Sequence, residues 1–133
     1  MTITAATRIA PEDVAPPVGA YSHGIVTQGP GRWLHIAGQI GTAADGTLPE
    51  GFEAQARQAW TNLVAVLRAA GMDVSHLVKV TTFLTDAADV PRLGPVRAGF
   101  LGEARPASTL LVVQALAQPA WRIEVEASAF RAD

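Results

Sequence analysis

The segment RIEVEASAF (residues 122–130) carries two carboxylates, Glu124 and Glu126, one residue apart. On a β-strand that spacing sends both to one side, with Ile123, Val125 and Ala127 on the other. Such a pair has a plain use as the solvated side of a sheet. It also has a chemical use, in which one carboxylate sits at a subunit interface and handles a proton or a water. A second stretch, GEARPASTLLVV (residues 102–113), sets Arg105 just before Pro106, and Ser108 begins an apolar run. An arginine grips an acidic substrate well, but this one lies on the outer side of Pro-Ala and none follows it in the segment.

Other residue types exclude more than they suggest. His23, His35 and His76 have no i, i+3 or i, i+4 spacing and no carboxylate at a metal-ligand interval, so no metal site is expected. Ser22 beside His23 in GAYSHG is sequence adjacency, whereas triad members come from separate elements. Glycines 29, 31, 38, 41 and 46 fit neither phosphate-loop nor dinucleotide spacing and read as turn chemistry. The chain has no cysteine, which removes disulfides, zinc thiolates and thiol catalysis.

A chain of 133 residues is enough for one domain with a sizeable core and too short for two ordinary ones, so a single domain over 1–133 is expected. Its 49% apolar and 17% charged content is a globular balance. The net charge of -2 leaves no basic footprint for nucleic acid. Lys79 is the lone lysine among ten cations, a compositional bias before it is a phosphate-binding design. MTITAATRIA lacks a basic start followed by an apolar core, and no apolar run approaches the roughly 18 residues of a membrane span. A soluble, cytoplasmic protein with neither nucleic acid nor membrane as partner is the expectation.

The elements that must position these residues follow from hydrophobic period. GRWLHIAGQIG (31–41) suits a largely buried strand, and YSHGIVTQG before it ends in the turn signal GPGR, which predicts a hairpin. Between Gly51 and Gly71, Phe52, Ala56, Ala59, Trp60, Leu63, Val64 and Leu67 recur at steps of three and four, one face of an amphipathic helix stopped by Gly71. LVKVTTFLTD (77–86) reads as a strand. Asp86 or Asp89 is placed to cap a second helix with Leu93, Val96 and Phe100 facing inward, and Pro95 predicts that it starts late or bends. STLLVVQAL and WRIEVEASAF are strands parted by an AQPA turn. With a first strand over Thr2–Ile9 the order is βββαβαββ, an α+β fold with a mixed sheet and helices on one face. The uncovered face calls for oligomerisation.

On the segments APPVGAYSHGI (15–25), LHIAGQIG (34–41), QARQAWTNLVAVLRAAGMDVSHLVKVTTFLTD (55–86), RPAST (105–109) and RIEVEASAF (122–130), the sequence resembles the RidA/YjgF/UK114 family of reactive-intermediate imine deaminases. The resemblance runs from about residue 15 to 130. It implies a chorismate-mutase-like α+β subunit in a homotrimer whose inward sheet faces form a barrel, with clefts between subunits that bind small carboxylates. It implies hydrolysis of enamine and imine intermediates to carbonyl product and ammonia, without metal or organic cofactor. By position, Tyr21 matches a ligand-contacting tyrosine, Gly38 a glycine whose backbone lines the pocket, and Glu124 the glutamate associated with the attacking water.

The resemblance also exposes a departure. Where the deaminases read Pro-Ala-Arg-Ser, this chain reads Pro106-Ala107-Ser108-Thr109, so Ser108 stands in place of the carboxylate-binding arginine. One neutral hydrogen bond for two charge-assisted ones costs roughly 2–4 kcal/mol of binding. Gly94 and Arg97 replace an asparagine and a tyrosine common in the family's second helix. Arg97, Arg105 and Arg122 are the cations available to restore the grip, each with a plainer reading as a solvated surface arginine. The leading expectation is an imine or enamine deaminase-like hydrolase with altered substrate preference. A trimeric small-metabolite binding protein without turnover is the alternative, and a ribonuclease fits the acidic, lysine-poor chain least.

Overall fold

The change from period two to period 3.6 near residue 51 falls where the chain passes from sheet to helix. The computed structural model describes residues 5–133. It has strands β1 (Ala6–Ile9), β2 (Gly24–Thr27) and β3 (Gly31–Ile40), helix α1 (Phe52–Ala69), strand β4 (Leu77–Leu84), helix α2 (Val90–Leu101), and strands β5 (Ala107–Val112) and β6 (Ile123–Ala132). The order is the expected βββαβαββ. Residues 2–4 of the predicted first strand lie outside the described residues, and its remainder contains β1.

Four strands form one mixed sheet in the order β3-β6-β4-β5. β6 runs antiparallel between β3 and β4, and β5 is parallel to β4, so β4, α2 and β5 make a βαβ crossover. On β6 the side chains of Ile123, Val125, Ala127 and Ala129 are buried under the helices. Glu124, Glu126 and Ser128 alternate with them and face the other way. The core between sheet and helices is filled by Phe52, Trp60, Leu63 and Leu67 of α1 and Leu93 of α2 against Val80, Leu84, Ile123 and Val125, each below 2% exposed. The Trp60 ring stacks on Phe100 of α2 with centroids 6.0 Å apart.

Four expectations need correction. β2 does not form a hairpin with β3. It pairs with β1, and β3 pairs with β6 over a much longer register. Nor is β3 largely buried: Ile36 alone of its residues is, because no helix covers one face of the strand and Trp33, His35 and Ala37 stand exposed. Gly29 still supplies a turn, with φ 80, but the two strands part after it. The second helix does not start late. It begins at Val90 with Pro91 in its first turn and keeps Pro95 inside. Pro95 forfeits one rung, to the Pro91 carbonyl, and burial of Leu93, Val96 and Leu101 outweighs that loss. The connection from β5 to β6 is longer than an AQPA turn, because β4 lies between the two strands and the chain must cross it.

The predicted caps divide their work. The Asp86 carboxylate accepts from the Ala88 N–H and caps a short 3-10 turn. Asp89, 1% exposed, caps nothing with its side chain; it receives Arg92 at 2.9 Å and Arg122 at 2.7 Å. The start of β6 is held a second time from α1. Gln55 donates to the Ala120 carbonyl at 3.1 Å and accepts from the Arg122 N–H at 2.9 Å. Gly41 packs so close that a Cβ there would lie 2.7 Å from the Gln55 Cα. Gln55→Ala removes two part-buried hydrogen bonds, and is expected to destabilise the fold by about 1–3 kcal/mol in urea unfolding.

Candidate active site

The bulge in β3 is the first structural feature of the site. Ile36 pairs with Ala127 and Gln39 with Val125, so Ala37 and Gly38 together oppose Glu126 alone. The Glu124 side chain reaches back across this bulge and lies on Gly38. A Cβ at Gly38 would run into Glu124 Oε2 and sit 2.7 Å from its Cδ. Gly38 and Glu124, drawn from segments far apart in sequence, therefore form one unit. Glu124 is half-buried, and among the described residues its carboxylate has no hydrogen-bond or ion-pair partner. Its oxygens are open to a hydrogen bond from a water or a ligand.

Tyr21 and Ser108 meet elsewhere. The Ser22 N–H donates to the Pro106 carbonyl at 3.0 Å, its Oγ donates to the Arg105 carbonyl at 2.5 Å, and Ser22 bridges to Ala107. That clamp sets Tyr21 beside the start of β5. Tyr21, Ser108, Val18, Gly19, Leu110 and Arg97 line a cavity of about 250 Å3. The Tyr21 ring also meets His23 edge-on, with centroids 6.1 Å apart. Leu110 was legible from the strand period, two residues beyond Ser108. Val18 and Gly19 carried no signal beyond their nearness to Tyr21.

The two groups lie on opposite faces of the sheet. Ser108 is the β5 partner of Val80, which is buried beneath the helices, so its side chain is on the helix side. Glu124 is the β6 partner of Phe83, on the side no helix covers. Within one chain Glu124 and Ser108 do not face a common space. Glu126 shares the uncovered face with Glu124, in a hollow of about 240 Å3 with His35, Lys79 and Ser128.

The three candidate arginines separate clearly. Arg122 is committed to Asp89. Arg105 folds back to donate to the Gly102 and Ala104 carbonyls at 2.8 and 2.7 Å; it borders a neighbouring hollow with Arg8, Tyr21 and His23. Arg97 alone of the three lines the cavity of Tyr21 and Ser108. The histidines are dispersed: His23 bonds the Ala15 carbonyl, His35 stacks on Trp33, and His76 closes a capping box with Asp73.

A chain with this fold and these paired features has known counterparts. Residues 12–131 match the family described as Endoribonuclease L-PSP. A RutC family protein of Pyrococcus horikoshii is 35% identical over 126 residues, covering 90% of this chain and 94% of that protein. The 2-iminobutanoate/2-iminopropanoate deaminase of Bos taurus is 33% identical over 114 residues, covering 84% and 80%. In structure, a protein of the conserved Rid family from Yersinia pestis superposes with TM-score 0.85 at 35% identity, covering 95% of this chain and 98% of the other. The chain belongs to the Rid/YjgF family, whose matching family description is Endoribonuclease L-PSP.

The Gly38–Glu124 contact is open to a direct physical test. Gly38→Ala is expected to cost about 1–3 kcal/mol by overpacking. Shortening the facing side chain as well, in Gly38→Ala/Glu124→Ala, removes the clash. Urea unfolding of the two single variants and the double variant then gives a coupling that offsets most of the Gly38→Ala cost.

Proposed function

We propose that this chain hydrolyses the C=N bond of a small imine, or of the enamine in equilibrium with it, to a carbonyl product and ammonia. The observation that carries the reading is the Glu124 carboxylate, laid on Gly38 with no partner of its own among the described residues. The family relation supports it, since relatives about one-third identical are named 2-iminobutanoate/2-iminopropanoate deaminases.

The chemistry needs a water on the face of the electrophilic carbon, a proton acceptor, and donors that hold the substrate still. In this reading Glu124 takes a proton from the attacking water as its oxygen bonds to the imine carbon. The resulting carbinolamine nitrogen is protonated, ammonia leaves with the C–N electron pair, and the hydroxyl loses its proton to become the carbonyl. One water is consumed for each ammonia released. The Tyr21 hydroxyl orients the substrate from the other side, Ser108 lends a neutral hydrogen bond, and the backbone at Gly38 lines the pocket. No step calls for a metal or organic cofactor.

Because Glu124 and the Tyr21 cavity face opposite ways, the working site is a cleft between two copies, one giving Glu124 and Gly38 and the next giving Tyr21 and Ser108. A homotrimer of single-domain subunits closes such head-to-tail contacts. The exposed apolar side chains support burial against another copy: Trp33 and Leu111 are 48% and 43% exposed, and Val18, at the mouth of the Tyr21 cavity, is 98% exposed.

The test is release of ammonia and oxo acid from 2-iminopropanoate generated in situ. Glu124→Ala is expected to lower kcat by about 10²- to 10⁴-fold, the usual worth of a general base, with the fold intact. Full activity in Glu124→Ala would remove the carboxylate from the mechanism. Binding of the oxo acid by the native chain without any turnover would replace the hydrolase with a metabolite-binding protein.

A further inference from the structure

Arginine side chains in this protein are mostly engaged. Arg8, Arg32, Arg105 and Arg131 donate to backbone carbonyls, while Arg92 and Arg122 pair with Asp89. Arg57 and Arg68 have no side-chain partner among the described residues but are exposed on α1, where water satisfies them. Arg97 differs from both groups. It is half-buried, it lines the cavity of Tyr21 and Ser108, and among the described residues its guanidinium has no hydrogen-bond or ion-pair partner. Burial lowers its pKa from the ordinary arginine value, the mark of a cation that has lost water and gained no anion in return. A guanidinium so placed still carries its charge and all its donors.

What surrounds Arg97 defines what it can hold. Two hydroxyls, of Tyr21 and Ser108, share the cavity; Leu110 gives it an apolar wall, and Val18 stands exposed at its mouth. The Tyr21 oxygen accepts only a long 3.4 Å bond from the Val18 N–H, which leaves the phenol proton free to donate. One forked cation with two hydroxyl donors matches a single negative charge spread over two oxygens. A phosphate dianion would keep an uncompensated charge there. A cavity of about 250 Å3 with Leu110 in its wall and Val18 at its mouth fits a short aliphatic chain on that carboxylate.

We propose that Arg97 is the carboxylate anchor of this site, gripping from α2 the short-chain imino acid that Ser108 on β5 cannot hold by charge. The inference rests on the hydrolase reading for its substrate, but the grip itself is testable without turnover. Such an anchor sets specificity: acids bind and their neutral counterparts do not.

Titration calorimetry with 2-oxobutanoate and with neutral 2-butanone tests the grip, alongside KM and kcat for the imine. Native protein is expected to bind the acid and not the ketone. Arg97→Ala is expected to weaken acid binding and raise KM about 10- to 100-fold, the loss of a charge-assisted fork, with a smaller change in kcat. Arg97→Lys should fall between, and Arg97→Ala/Ser108→Arg should recover binding by moving the cation across the same cavity. Thermal unfolding of the ligand-free variants separates a lost grip from a lost fold. If the native protein turns over imine while Arg97→Ala keeps the same KM and acid affinity, the anchor is wrong and the hydrolase stands. If nothing turns over but Arg97→Ala loses acid binding, the anchor stands and the hydrolase falls. Failure of the native protein to bind 2-oxobutanoate overturns the anchor outright.

Discussion

A carboxylate can rest flat on a neighbouring β-strand only where that strand presents no side chain. In this protein the Glu124 carboxyl lies on Gly38, at a bulge where two residues of β3 oppose one of β6. The remaining architecture holds that contact in register. Ile123 and Val125, on either side of Glu124, are fully buried under α1 and α2 and fix which way the glutamate points. The Asp89–Arg122 pair and the two Gln55 hydrogen bonds fix where β6 begins. A one-residue slip of β6 would bury Glu124 and expose Ile123, so the core itself guards the position of the carboxylate.

The sheet keeps its two kinds of chemistry apart. The Glu124 carboxylate stands on the uncovered face, and the hydroxyls of Tyr21 and Ser108 gather with Arg97 on the helix side of the edge strand. That separation lets a single fold carry both without their neutralising each other: a glutamate beside Arg97 in one chain would pair with it and be spent. In the proposed function it is head-to-tail contact between copies that brings the two kinds of group to one substrate.

Much of this was legible in the sequence, for identifiable reasons. Period alone placed α1, because its buried face is continuous from Phe52 to Leu67, and it set Glu124 and Glu126 on one side of a strand. It failed where pairing is decided by partners distant in sequence: the GPGR turn announces a hairpin, yet β3 takes β6 as its neighbour. Pro95 misled for a similar reason, since the apolar contacts of α2 outweigh one missing rung. Asp89 carried the signal of a cap and became the buried partner of two arginines, a role that Arg122, far along the chain, gives it. The three candidate arginines looked alike in sequence; only their partners, or the lack of them, tell them apart.

Co-assembly of two variants shows whether catalysis joins Glu124 of one copy to the Tyr21 cavity of another. Glu124→Ala and Tyr21→Ala chains, each crippled alone, are unfolded, mixed, refolded together and assayed for ammonia release from imine. The mixed assembly is expected to be more active than either parent, because some clefts then pair an intact Glu124 with an intact Tyr21. Activity no higher than the average of the two parents, in assemblies verified to contain both chains, would contradict a shared site.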